Sequence, residues 1–130
     1  MQMTGKADIA TDTRLLAELT ALIQSLREAD IDIEEPEQVQ RYLRRYPELI
    51  AAVQTMSLTA RGEFPDAQLL LTVYQDPETE DQFLSLFVRR DSYDGTEVRR
   101  IERLHEECRH LNKGAGWFLL LTDFQPPTRK

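Results

Sequence analysis

The chain has a single cysteine, Cys108, among 130 residues, so no internal disulfide can form. At this length a hydrophobic core can carry the fold without disulfides or metal. There are only two histidines, His105 and His110, and neither CxxC nor HExxH occurs, which removes the common zinc patterns. Glycine is sparse. Gly114-Ala115-Gly116 precedes a strand-like segment rather than a helix, so it is no phosphate cradle. Phosphate-loop, Rossmann, nucleophile-elbow and kinase signatures are absent, and no cofactor is expected.

No apolar run approaches the ~18 residues that a membrane helix needs. The first stretch, MQMTGKADIATDTR, lacks the apolar region of a signal peptide, and the expected location is cytoplasmic. Positive charge is in deficit: 16 Lys and Arg stand against 23 Asp and Glu, for a net charge of −7. An acidic chain repels a phosphate backbone, so general nucleic-acid binding is disfavoured.

What is present reads as an α+β chain. Residues 1–11 are small and polar without periodicity and are expected to form a flexible leader. A single domain is expected over 12–125, with a frayed tail over 126–130. From Asp12, Leu15, Leu16, Leu19, Leu22, Ile23 and Leu26 recur at spacings of three and four and predict an amphipathic helix. An acidic run from Glu28 to Glu37 follows, with Ile31 and Ile33 alternating within it, and reads as a solvated connection.

Pro36 suits the first turn of a second helix, and Pro47 ends it. A third helix follows, with Leu49, Ile50, Val53, Met56 and Ala60 on its face and Gly62 as its stop. Residues 67–76 and 82–90 predict an antiparallel hairpin with a long polar turn. Both strands are apolar on both sides and call for cover on both. The fourth helix would supply one cover and the N-terminal helices the other.

Residues 94–112 predict that fourth helix. Asp94 and Glu97 match a capping box, Tyr93 and Val98 a hydrophobic staple. Its apolar face is Val98, Ile101, Leu104, Cys108 and Leu111, with Lys113 near its C-terminal end and Gly114 just past it. Residues 117–124 predict a last strand, parallel to the second through a right-handed crossover. The expected architecture is therefore two to three N-terminal helices followed by a ββαβ unit with a small mixed three-stranded sheet.

Candidate chemistry is thin. His105, Cys108 and His110 do not share one helix face, and Cys108 reads as core. Arg89, Arg90, Arg99, Arg100 and Arg103 gather at the end of the second strand and the start of the fourth helix, a possible anion-binding cluster through Arg89, Arg99, Arg100 and Arg103, interleaved with Glu97, Glu102, Glu106 and Glu107. Arg41, Arg44 and Arg45 repeat the ambiguity on the second helix, and Asp123 ends the last strand. Leu15, Leu19, Leu22 and Leu26 offer a stripe for a protein partner or a second copy.

These features point first to a non-enzymatic interaction or regulatory module, such as an adaptor or an antitoxin-like protein. Two alternatives stand beside it. One is a small enzyme or ligand-binding protein whose pocket between helices and sheet uses Arg89, Arg99, His105 or Asp123. The other is phosphate or nucleic-acid binding through the Arg cluster.

Overall fold

The fold is taken from a computed structural model, which describes the backbone of residues 2–111, 114 and 116–128 and, within that set, side chains from Thr13 onward. The elements in order are α1 (Gln2–Glu28), β1 (Ile31–Ile33), α2 (Pro36–Arg45), α3 (Leu49–Glu63), β2 (Gln68–Gln75), β3 (Gln82–Arg89), α4 (Glu97–Cys108), a 3-10 turn (Arg109–Leu111) and β4 (Phe118–Leu121). The class is α+β, as expected. Lys113, expected near the end of α4, and the last two residues, Arg129 and Lys130, lie outside the described residues.

The sheet has four strands, not three, in the order β1-β2-β3-β4. The hairpin is antiparallel and β4 runs parallel to β3, both as expected. The added strand, β1, lies inside the acidic run and pairs parallel with β2, placing Ile31 beside Leu69 and Ile33 beside Leu71. Three residues are too short for a period-two signal, but the alternation is real: Ile31 is buried while Asp32 points to the other face and accepts a hydrogen bond from the Gln68 amide at 2.8 Å.

Helix ends follow local chemistry. Pro36 stands at the start of α2, where a missing N–H costs nothing, and Pro47 follows its end. The helix expected to begin at Asp12 runs from Gln2, through residues such as Met3, Lys6 and Ala7 that favour helix and include no proline. Gly62, expected to stop α3, sits inside its last turn. Arg61 closes that end. Its guanidinium donates to the carbonyls of Ala29 and Asp30 at the end of α1, and to those of Phe64 and Ala67 beyond α3, all at 2.9–3.1 Å.

The sheet has two unlike faces. One carries Ile31, Leu69, Leu71, Leu84, Leu86, Val88, Phe118 and Leu120, all nearly inaccessible. Leu19, Leu22 and Leu26 of α1, Val39 and Leu43 of α2, Val53 and Met56 of α3, and Ile101, Leu104 and Cys108 of α4 pack with them in one continuous core. The expectation that helices would cover both faces is therefore corrected: among the described residues, all four helices contribute their core side chains to the same side. The tie between α3 and α4 explains this. Glu63 at the end of α3 accepts from Arg100 Nε at 2.9 Å and also pairs with Arg103, while Arg100 stacks 4.3 Å over Phe64.

The start of α4 also differs from expectation. It begins at Glu97 with Thr96 as its N-cap, and no side chain caps it there. Asp94 instead closes a tight turn by accepting from the Thr96 N–H and hydroxyl. The predicted staple is not made, because Val98 faces solvent and Tyr93 packs on Phe124 with ring centres 5.3 Å apart.

Candidate functional site

The second face of the sheet is built by alternation. Register places Gln68 beside Arg89, Leu70 beside Phe87, Thr72 beside Ser85 and Tyr74 beside Phe83, with Leu119 and Leu121 of β4 extending the Ser85 and Phe87 rungs. Because neighbouring side chains on a strand point to opposite faces, none of these can reach the core that Leu69, Leu71, Leu84 and Leu86 fill. None of them belongs to that core.

On β2, β3 and β4 the interior of this face carries no charge, while Asp32 of β1 continues the Leu70 rung on the same side. Tyr74 is exposed and its ring lies 4.9 Å from that of Phe83. Phe83, Phe87, Leu119 and Leu121 are half-buried. In the middle, the Ser85 hydroxyl donates to the Thr72 carbonyl at 3.2 Å. What remains for contact is apolar and aromatic surface across three strands.

Charge stands along the β1 edge, at Asp32 and Glu34, and at one end. Arg89 reaches Asp123 with two bonds, at 2.9 and 3.3 Å, and donates to the Thr128 hydroxyl at 2.7 Å. Burial pushes the Asp123 carboxyl up, but the Arg89 guanidinium and the Gln125 N–H outweigh it, so it titrates below the usual carboxylate range. Gln68 and Thr128 exchange backbone and side-chain bonds at 2.7 and 3.0 Å, which lays the residues after β4 across this end of the sheet. Leu70 is buried beside them, and together they rim a recess of about 260 Å³.

The other candidate residues are dispersed. Leu19, Leu22 and Leu26, read as a partner-binding stripe, are buried in the chain's own core, and Leu15 packs against it. Among the described side chains of α1, the large apolar one left exposed is Leu16. Of the Arg cluster, Arg89, Arg90, Arg100 and Arg103 are held in ion pairs with Asp123, Glu97 or Glu63, while Arg99 is exposed on α4. Arg89 and Asp123 stand at the end of the open face, whereas His105 stands on α4 against β4, so the residues imagined around one pocket do not converge on one.

His105 has a specific place. Its Nε2 lies 3.1 Å from the Leu120 N–H and 2.9 Å from the Leu120 carbonyl, against the outer edge of β4. That edge would otherwise present free backbone groups. Cys108 is buried, and burial, with Glu107 nearby, raises its thiol pKa and keeps it protonated at neutral pH. His110 is exposed in the turn after α4. Among the described residues, no group of three or more His, Cys, Asp or Glu side chains is placed to hold a metal ion.

Two features had no forecast. At the far end of the sheet, a cleft of about 360 Å³ is lined by Tyr42 and Arg45 of α2, Tyr46 just past it, Glu80, Asp81 and Gln82 around the hairpin turn, and Trp117. The Tyr42 hydroxyl accepts from the Trp117 N–H at 3.0 Å and faces the Gln82 carbonyl at 3.3 Å, so it bridges the starts of β3 and β4. Burial raises its pKa.

The other feature is a buried carboxylate. No part of the Glu97 side chain is accessible, and it accepts from Arg90 at 2.6 Å and from the Asp94 and Gly95 N–H groups at 3.0 Å. Burial pushes it up, yet the backbone donors and Arg90 win and hold it below the ordinary value. The Glu at the third position of a capping box was the available signal, but its ion-pair partner comes from beyond the end of β3.

Comparison of the chain with protein-family models, with curated proteins and with solved structures gives no match.

Proposed function

We propose that the protein is a small interaction module that works through the open face of its sheet. The observation that carries this reading is the contrast between the two faces. Four helices fill one, while the other keeps Tyr74, Phe83, Phe87, Leu119 and Leu121 uncharged and at least partly accessible. A contiguous apolar patch on a soluble domain marks a contact surface more often than an accident of composition. The leucines of α1 serve the fold, so the adaptor or antitoxin-like role expected from them passes to the sheet.

The test compares tagged wild type with Phe83→Asp expressed in the native host, read by quantitative mass spectrometry of co-purifying proteins. Specific partners are expected to be lost from the variant while its circular dichroism stays native. An identical set of partners in both would remove this face from consideration.

A second reading, binding of a small planar ligand, rests on the cleft where Trp117 is 60% exposed beside Tyr46. Trp117 is the only tryptophan in the chain, so its fluorescence reports on that cleft alone. Saturable quenching by a metabolite library would favour this reading, and its loss in Tyr46→Ala would locate the ligand there.

A further inference from the structure

We propose that the cleft between the end of α2 and the hairpin turn takes a quaternary ammonium group, a cation whose charge is spread over its methyl groups. This rests on the second reading in taking the cleft as a small-ligand site, and it gives the ligand a positive charge and a rounded shape.

The walls are aromatic. Tyr46 is half-buried, Trp117 is exposed, and the ring of the nearly buried Tyr42 lies 4.8 Å from that of Tyr46 at an angle of 49°. Ring faces are the negative side of an aromatic quadrupole, so they attract a cation. They offer no acceptor for N–H groups. A quaternary ammonium has none to satisfy, whereas the ammonium of a lysine is strongly hydrated and would lose its water here. The protein already sets one cation on this wall: the Arg45 guanidinium stands 5.4 Å from the centre of the Tyr46 ring.

The balance of charge selects a cation over an anion. The lining includes one positive group, Arg45, against two carboxylates, Glu80 and Asp81. Among the described residues neither carboxylate is in an ion pair. An anion would meet two unneutralised charges of its own sign, while a cation finds counter-charge that nothing else uses. The net charge of −7 on the whole chain acts in the same direction.

The shape is set in advance. The Tyr42 hydroxyl accepts from the Trp117 N–H and faces the Gln82 carbonyl, which fixes α2 against the starts of β3 and β4. Gly116 lets Tyr46 lie against the segment before Trp117, since a Cβ at that position would stand 2.7 Å from the Tyr46 Cβ and 2.8 Å from its Cγ. A cleft held in this way has little left to order when a ligand enters. Its volume of about 360 Å³ is that of a small-molecule site.

NMR of the full chain tests this, because a single tryptophan gives a single indole N–H signal, at Trp117. Choline chloride, neohexyl alcohol (the neutral carbon isostere of choline) and caffeine, planar and neutral, are titrated at constant ionic strength. Choline should move the signal saturably and bind ~10-fold or more tightly than its isostere, the difference that the charge makes at aromatic walls. Glu80→Gln combined with Asp81→Asn should weaken choline binding roughly fivefold, as loss of two exposed counter-charges does, and leave the isostere unchanged. Arg45→Met removes the competing cation and should strengthen choline binding by a similar factor. All three positions are exposed, and the backbone amide spectrum reports whether each variant keeps its fold.

Equal binding of choline and its isostere, or weaker choline binding in Arg45→Met, would overturn the cation. A signal moved saturably by caffeine but not by choline would overturn the cation and leave the planar-ligand reading standing. A signal that neither moves, with no quenching by the metabolite library, would overturn both.

Discussion

Glu97 holds a negative charge where none of its side chain reaches water, which is sustainable only because Arg90 and two backbone N–H groups surround it. Removing one partner of such a pair strands the other, so Glu97→Gln is expected to cost roughly 3 kcal/mol in urea denaturation. The same carboxylate sets a pH dependence. Glu97, Asp94 and Asp123 all titrate below their ordinary values, so the unfolded chain takes up their protons first. The stability they contribute is complete above the unfolded value of about 4 and is lost as pH falls through the lower folded values. Melting temperature should therefore hold near neutrality and drop steeply below about pH 4, with a shallower acid slope in Glu97→Gln. Arg61 is the second residue whose weight was hidden, since its bonds go to carbonyls of two separate segments, 29–30 and 64–67. Arg61→Ala should cost about 2–3 kcal/mol, and Arg61→Lys should restore little, because a single ammonium cannot reproduce the fork. Glu97 stood out beforehand only as half of a capping box, and Arg61 not at all. A long-range partner such as Arg90, or a carbonyl such as that of Ala29, leaves no periodic trace.

At the scale of elements, the long helices and the hairpin follow from periodicity and proline placement, and the structure keeps them. Their ends and the small pieces do not follow so simply. β1 escaped because three residues inside a run of acids look like a solvated loop, although the burial of Ile31 ties α1 to the sheet. Ile31→Ala should therefore cost about 2–4 kcal/mol, as a core truncation does, and a value near zero would mean that β1 is dispensable. The leucines of α1 carry the same lesson. An amphipathic stripe shows that a helix buries one face but not against what, and here Leu19, Leu22 and Leu26 bury it within their own chain. Leu19→Ala and Leu26→Ala should destabilise the monomer by about 2–5 kcal/mol without changing its assembly, measured by thermal denaturation and light scattering.

For the whole molecule, the layering matters most. Both hairpin strands are apolar on alternate sides, and counting apolar positions suggests two covered faces. A finer difference was already present in the residues: one side is wholly aliphatic, Leu69, Leu71, Val73, Leu84, Leu86 and Val88, while the other mixes Thr72, Tyr74, Phe83, Ser85 and Phe87. Small hydroxyl residues and aromatics together describe a surface that meets something other than its own helices. Which side the helices choose depends on contacts such as Glu63 with Arg100 and Arg103, far apart in the chain. The account stands on that layering, and adjacent residues on β3 test it most directly. Leu86→Asp places a charge in the core and Phe87→Asp places one on the open face, and thermal denaturation of dilute protein by circular dichroism compares them. Leu86→Asp is expected to abolish the cooperative transition while Phe87→Asp keeps a native spectrum and a cooperative melt. Loss of folding in both, or tolerance of Leu86→Asp with collapse of Phe87→Asp, would contradict the assignment of the two faces.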